Sequence, residues 1–178
     1  MTHIHIREAK PDDAEAMRDV QRRTWLATYP NEAYGITKED IEARFDPDPK
    51  RAEERRVRYR QLICTPPFHS WVALEGTDVI GFCIAERNEQ ENVIGALYVL
   101  PEFQNRGAGK RLLQAALDWL GAERDVALNV ASYNEKAIAF YRAFGLVPVG
   151  PVPVSETLQL PSGVRLPETK MVKKGFVN

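Results

Sequence analysis

The chain is short of most features that would assign it to a specialised class. It has two cysteines, Cys64 and Cys83, too few for a disulfide framework. Cys83 lies in the apolar run 79–85, the setting of a small buried hydrophobe. No apolar run reaches the ~18 residues a membrane span requires, and residues 1–7 alternate polar and apolar like a first strand instead of forming a targeting segment. The expectation is a cytoplasmic chain with no membrane partner. Neither sign of charge is in excess: 24 Lys and Arg stand against 25 Asp and Glu. Such a balance gives no basic footprint for nucleic acid. His3, His5 and His69 have no metal-site spacing to a third ligand, so no metal is expected. Eleven glycines and 12 prolines exclude collagen-like and low-complexity classes.

What is present is ordinary globular material. Hydrophobic residues make up 44% of the chain and charged residues 28%, enough of each for a core and a solvated surface. The length of 178 residues suits one domain over 1–178. A strand is predicted over residues 3–8, with Ile4 and Ile6 on one face. Asp12 and Asp13 beside Pro11 start a helix that runs to about Tyr29. Residues 30–36 form a loop, and Thr37 caps a second helix that stops near the Asp46-Pro47-Asp48-Pro49 cluster. Lys50 to Cys64 is a charged helix with Lys50/Glu54 and Glu54/Arg58 at i,i+4 spacing, as on a solvated face.

The pattern then turns to strands: 69–75 and 78–87 across the hairpin signal Glu75-Gly76-Thr77-Asp78, then 93–100. A helix over 107–120 places Leu113, Ala116, Leu117 and Leu120 on one face. Residues 125–130 read as a strand and 134–144 as a helix ending at Gly145, in the place of a C′ glycine. The tail from Leu146 to Lys174 reads as two strands around Pro161-Ser162-Gly163. The fold class is mixed α/β, with helices on a largely antiparallel sheet.

The most informative stretch runs from Val99 through Gln104-Asn105-Arg106-Gly107-Ala108-Gly109-Lys110 into Arg111-Leu112-Leu113. A strand, a short glycine loop and an amphipathic helix make an anion cradle, because amides at a helix start are unpaired and the dipole favours negative charge. Lys110 and Arg111 add positive charge. A P-loop would need Gly and Ser or Thr where Gln104 and Arg111 stand. A dinucleotide fingerprint would need a third glycine at Leu112.

What remains, Gln104-x-x-Gly107-x-Gly109 after a Val-Leu-Pro strand end, resembles the coenzyme A signature of the GNAT superfamily of N-acetyltransferases. Residues 134–146, an Asn-to-Tyr helix ending in Gly145-Leu146, are similar to the family's second motif. The opening segment and the Arg-rich helix loosely resemble bacterial polyamine acetyltransferases.

The resemblance implies a splayed, largely antiparallel sheet with helices on both faces, and acetyl-CoA as co-substrate. It implies that the pantetheine arm pairs with the backbone of Leu97, Tyr98 and Val99. It assigns the pyrophosphate to backbone amides of Gln104, Asn105, Arg106, Gly107, Ala108, Gly109 and Lys110. Asn134 then contacts the coenzyme. Tyr141, seven residues on and so on the same side of the helix, faces the sulfur and protonates the departing thiolate. A phenol suits that task, since it holds its proton at neutral pH.

The acceptor is expected to be a small primary amine such as a polyamine, and a homodimer through edge strands is a tendency of the family. Substrate choice is expected in the region of Trp25, Tyr29, Glu32 and Tyr34, where aromatics beside carboxylates suit a cation. The strand 93–99 departs from the family by having no carboxylate, which leaves the base open among Glu91, Glu32 and an ordered water. Both cysteines lie outside the coenzyme motifs, which favours direct transfer. Acetylation of a protein N-terminus or lysine, and a non-catalytic acyl-CoA sensor, are the alternative readings.

Overall fold

The structure is a computed structural model that describes residues 3–45 and 49–176. The order of elements is β1 (Ile4–Glu8), α1 (Ala14–Thr28), α2 (Lys38–Phe45), α3 (Pro49–Cys64), β2 (Phe68–Glu75), β3 (Asp78–Glu86), β4 (Asn92–Val99), α4 (Ala108–Leu120), β5 (Val126–Ala131), α5 (Glu135–Arg142), β6 (Val147–Pro151) and β7 (Glu168–Lys173). The strands form one sheet in the order β1-β2-β3-β4-β5-β7-β6. Every pairing is antiparallel except β4 with β5. That parallel pair is joined by α4, the crossover that parallel neighbours require.

Helices flank the sheet. α1 packs on β3 and β4 and α3 on β2, while α4 packs over β2, β3 and β4. The amphipathic pattern of α4 decides which face it buries: Leu112, Leu113 and Ala116 are fully buried. Met17 and Val20 of α1 join the same core, together with Phe82 and Cys83 of β3. Burial pushes the Cys83 thiol pKa up, so this cysteine is the inert core residue expected. The side chain of Cys64 lies outside the described residues, as do those of Lys50 and Arg58 in the predicted i,i+4 pairs and the whole of Asp46-Pro47-Asp48.

Local signals translate directly into structure. The Thr37 hydroxyl accepts from the Asp40 amide at 3.1 Å, capping α2. Gly76 turns the β2–β3 hairpin at φ +62°. Gly145 ends α5 at φ +84°, and its amide donates to Arg142 O at 3.0 Å. β1 is held to the start of α1 by two hydrogen bonds from the Arg7 guanidinium to the Asp13 carboxylate, 2.6 and 2.8 Å.

The tail holds the two strands read from the sequence, β6 and β7, but adds a long excursion between them. The turn at 161–163 is there, with Leu160 N donating to Val164 O at 2.8 Å. It does not join two sheet strands, however. β6 and β7 lie farther out, and residues 152–167 loop away between them, with only a Gln159–Arg165 bridge inside. Pro151, Pro153, Pro161 and Pro167 break any continuous ladder, since proline has no amide to donate. The excursion instead buries Leu160 and Leu166 in a second core with Trp25, Ile36, Ile41 and Ala131. Asp40 secures it by accepting from the Ser162 amide at 3.2 Å.

Candidate functional site

The site begins with a defect in the sheet. β4 pairs with β5 only at Asn92–Val126 and Val93–Ala127. Beyond Val93 the two strands part. On its other side β4 has a bulge at Gly95, where the register with β3 slips between Ile84 and Ala85. A bulge bends its strand and increases its twist, which carries Ile94–Val99 away from β5. A cleft of about 1660 Å³ opens in the gap. Its walls include Leu97, Tyr98 and Val99 of β4 and Leu128, Asn129 and Val130 of β5.

Gly81 allows the bent strand to sit where it does. A Cβ there would lie 2.8 Å from Tyr98 O and 3.0 Å from a Val99 methyl. The Gln104 side chain donates to Val99 O at 3.1 Å and fixes the end of the strand.

The glycine loop closes one end of the cleft. Asn105 and Gly107 both have positive φ, +62° and +88°, a turn that points successive amides the same way. The Gln104 amide already donates to Pro101 O, and the first helical bond of α4 runs from Arg111 N to Gly107 O. Among the described residues, the amides from Asn105 to Lys110 have no acceptor in the protein. A Cβ on Gly109 would meet only Val99 and Phe140 carbons at 3.7 Å, and one on Gly107 nothing within 4 Å. The protein's own packing therefore does not demand Gly109. A close-lying anion in the cradle would. Unpaired amides, a helix start and open space fit the pyrophosphate of a coenzyme A thioester.

Most of the coenzyme residues expected from the sequence meet here. Leu97, Tyr98, Val99, Gln104, Asn105, Gly107, Gly109, Lys110, Asn134 and Tyr141 all line the cleft. Ala108 is buried beneath the loop, 1% exposed, so only its amide faces the cradle. The Arg106 side chain turns away to Glu75, 2.5 Å off. Arg111 also leaves the cradle: its guanidinium bonds to Ile4 O of β1. The cation that does face the cradle with Lys110 is Lys136, which lines the cleft and donates to Gln104 Oε1 at 3.1 Å. Lys136 stands inside the second motif but looks like any solvated helix lysine in sequence.

Asn134 caps α5, its Oδ1 accepting from Ala137 N at 3.1 Å, which leaves its amide nitrogen for the cleft. One face of α5 carries Phe140 and Tyr141. Desolvation pushes the Tyr141 hydroxyl pKa well up, with Cys83 and Tyr98 adding to the shift. The shift favours the protonated phenol.

The acceptor residues expected from the sequence divide. Tyr29 lines the cleft, and burial raises its pKa strongly, helped by Tyr98, Tyr141 and Glu168. Trp25 does not line it. It is 5% exposed and packs edge-on to Tyr29 at 4.7 Å, in the core behind the site. Glu32 and Tyr34 sit on an exposed turn and do not line the cleft either. Tyr34 stacks on Tyr133 at 5.2 Å, and the Tyr133 hydroxyl donates to Tyr29 O at 2.7 Å. The cleft also reaches Thr24, whose hydroxyl is buried with no hydrogen-bond partner among the described residues. Of the three base candidates, Glu91 is held by Lys170 at 2.6 Å, and Glu32 is exposed.

The comparisons with known proteins agree with this geometry. The profile of the acetyltransferase (GNAT) family matches residues 14–146. The PaiA N-acetyltransferase of Thermoplasma acidophilum, solved in complex with coenzyme A, superposes with a TM-score of 0.72 at 22% identity, over 97% of this chain and 99% of that one. The ribosomal-protein-S18-alanine N-acetyltransferase of Escherichia coli gives 0.66 at 16%, over 97% and 94%. Nourseothricin acetyltransferase gives 0.65 at 18%, over 97% and 99%. None of the curated proteins matches the sequence. With its coenzyme signature on an open cleft and the family profile spanning most of its length, the chain belongs to the GNAT family of acetyl-CoA-dependent acetyltransferases.

Proposed function

We propose that the protein transfers the acetyl group of acetyl-CoA directly to a primary amine of a small molecule. The observation that carries the reading is that Tyr141 lines the same cleft as the amide cradle of 105–110. Acetyl-CoA supplies an activated acyl thioester. The chain does the rest. Amides from Asn105 to Lys110, with Lys110 and Lys136, hold the phosphates. The unpaired edge of Leu97–Val99 aligns the pantetheine arm. Backbone donors near the Gly95 bulge polarise the thioester carbonyl, an oxyanion role for fixed dipoles. Tyr141 gives its proton to the departing thiolate. Cys83 is fully buried and its thiol pKa is raised, which supports transfer without an acetyl-enzyme.

The acceptor approaches from the α1 side, where Tyr29 lines the cleft and the Tyr133 hydroxyl donates to its carbonyl oxygen. Aromatic faces favour a cation, and a polyamine is our first choice among small amines. The test is thiol release from acetyl-CoA against spermidine, spermine, amino acids, aminoglycosides and short peptides, with coenzyme binding followed by calorimetry. Turnover on polyamines is the expected result. Turnover on peptides alone would move the acceptor to a protein terminus or lysine. Tight coenzyme binding with no turnover on any amine would favour a sensor.

A further inference from the structure

Transfer to an amine requires a group to take the amine's proton, and β4 offers none. A free alkylammonium of pKa ~10.4 is only about one part in a thousand neutral at pH 7. Most acidic side chains close to the cleft and the sheet are already engaged. Glu91 is paired with Lys170, Glu102 with Arg23, Asp125 with Lys174 and Glu75 with Arg106. Glu168 is different. It opens β7 opposite Ala131 of β5, half-buried, and no Lys or Arg lies against it among the described residues. One oxygen, Oε2, accepts from Leu158 N at 3.3 Å. The other has no partner among the described residues.

Glu168 does not itself line the cleft, but the residues around it pack against two that do. Ala131, its cross-strand neighbour, and Leu158, its hydrogen-bond donor, pack in the second core together with Tyr29 and Tyr98. Tyr29 and Tyr98 in turn line the cleft. The Glu168 charge also contributes to the raised pKa of Tyr29, so its carboxylate is within electrostatic reach of that lining residue.

We infer that Glu168 is the carboxylate that binds the acceptor's ammonium and takes its proton before attack. This rests on the amine-transferase reading above. In the step, the ammonium proton passes to Glu168 and the freed lone pair forms the N–C bond. The C–S bond breaks, the Tyr141 proton goes to sulfur, and the amide nitrogen loses its extra proton to solvent. Glu168 then releases its proton and solvent restores Tyr141, so the net products are amide, free thiol and one proton. Desolvation raises the Glu168 carboxyl pKa, offset in part by the Leu158 amide. The shift makes it a stronger base than a surface carboxylate, which is the direction the step needs.

The other charged and titratable groups around it leave this assignment intact. Tyr29 on α1 and Tyr133 after β5 are phenols with raised pKa values, that of Tyr133 reaching about 12. Both stay neutral. Lys170, two residues along β7, is bound to Glu91. Arg165 of the excursion donates to Thr157 O at 2.7 Å and to Gln159 Oε1.

The test compares wild type with Glu168→Gln and Glu168→Asp, reading kcat/KM for the best amine of the panel across pH, coenzyme affinity by calorimetry, and thermal unfolding. The side-chain carbonyl that E168Q introduces can still accept from Leu158 N. For stability, a carboxyl whose pKa is raised on folding stabilises the fold below that pKa and loses the contribution as pH rises through it. E168Q should therefore unfold at or above the wild-type temperature at pH 8, so lost activity is not lost structure. We expect kcat/KM of E168Q to fall by about 10²–10³-fold at pH 7, within the range of general-base catalysis, with coenzyme affinity unchanged. The deficit should narrow as pH approaches the amine's own pKa, where solvent supplies neutral amine. E168D should recover part of the rate. An unchanged pH profile in E168Q, or a loss that appears in Glu91→Gln instead, would overturn the assignment while wild-type turnover upholds the transferase reading. No amine-dependent thiol release from wild type would overturn both.

Discussion

The two ends of the cleft are built on opposite plans. The proposed coenzyme end is made of backbone: the unpaired edge of β4, the amides of 105–110, and two glycines. Its parts lie within one stretch, 94–110, plus one face of α5. The acceptor end we propose draws on side chains from segments far apart in sequence: Thr24 on α1 and Tyr29 just after it, which line the cleft, with Tyr133 after β5 and Glu168 on β7 behind them. Backbone recognition needs fixed geometry and few residue types, so it leaves a motif. Side-chain recognition is free to change with the substrate and leaves none.

Four substitutions would break or sharpen that contrast. The largest effect should come at the junction of the two ends. Tyr141→Phe should lower kcat by about 10²–10⁴-fold, the span a positioned proton donor supplies, while coenzyme affinity measured by calorimetry stays put. Next is the coenzyme end. The Cβ of Gly109→Leu would make ordinary van der Waals contact with Val99 and Phe140 at 3.7 Å, so the fold should survive. Coenzyme should bind about a hundredfold more weakly, ~2.7 kcal/mol, and the amine KM at saturating coenzyme should change little.

The acceptor end should respond the other way. Tyr133→Phe removes the 2.7 Å bond that holds Tyr29 O. At a net ~1 kcal/mol for such a bond, the amine KM should rise about fivefold in steady-state assays, with coenzyme affinity untouched. The smallest effect is on stability. Thr24→Val deletes a buried hydroxyl that has no partner among the described residues, and an unpaired buried donor costs folding free energy. The melting temperature should rise by about 2–4 °C, worth ~1 kcal/mol at this chain length. A fall in calorimetry would mean the hydroxyl is bonded in solution.

The same contrast explains what the sequence made legible. Alternation and helix periodicity placed β1 to β5 and the helices to within a residue or two, because each element's pattern is local. Thr37 and Gly145 were readable as caps because capping chemistry involves neighbours only. The cradle was legible because glycines and a helix start must be contiguous to form it. The failures were of longer range. Trp25 carries an aromatic ring suited to cations, but nothing local says that it is buried against Phe45 and the tail. Arg111 sits beside the cradle in sequence, yet its helical position sends it to β1. The turn at 161–163 is legible because its residues are local, whereas the docking of the 152–167 excursion on Ile36 and Ile41 is not. The role proposed for Glu168 has no local signal for the same reason: only the register of β7 on β5 sets it opposite Ala131.

The division of labour along the cleft is most directly tested by hydrogen exchange on the whole protein, with and without coenzyme A. The account predicts slowed exchange at the amides of Leu97–Val99 and Asn105–Lys110, with residues 152–167 unchanged. Protection confined to 152–167, or none at 105–110 under saturating coenzyme A, would contradict it.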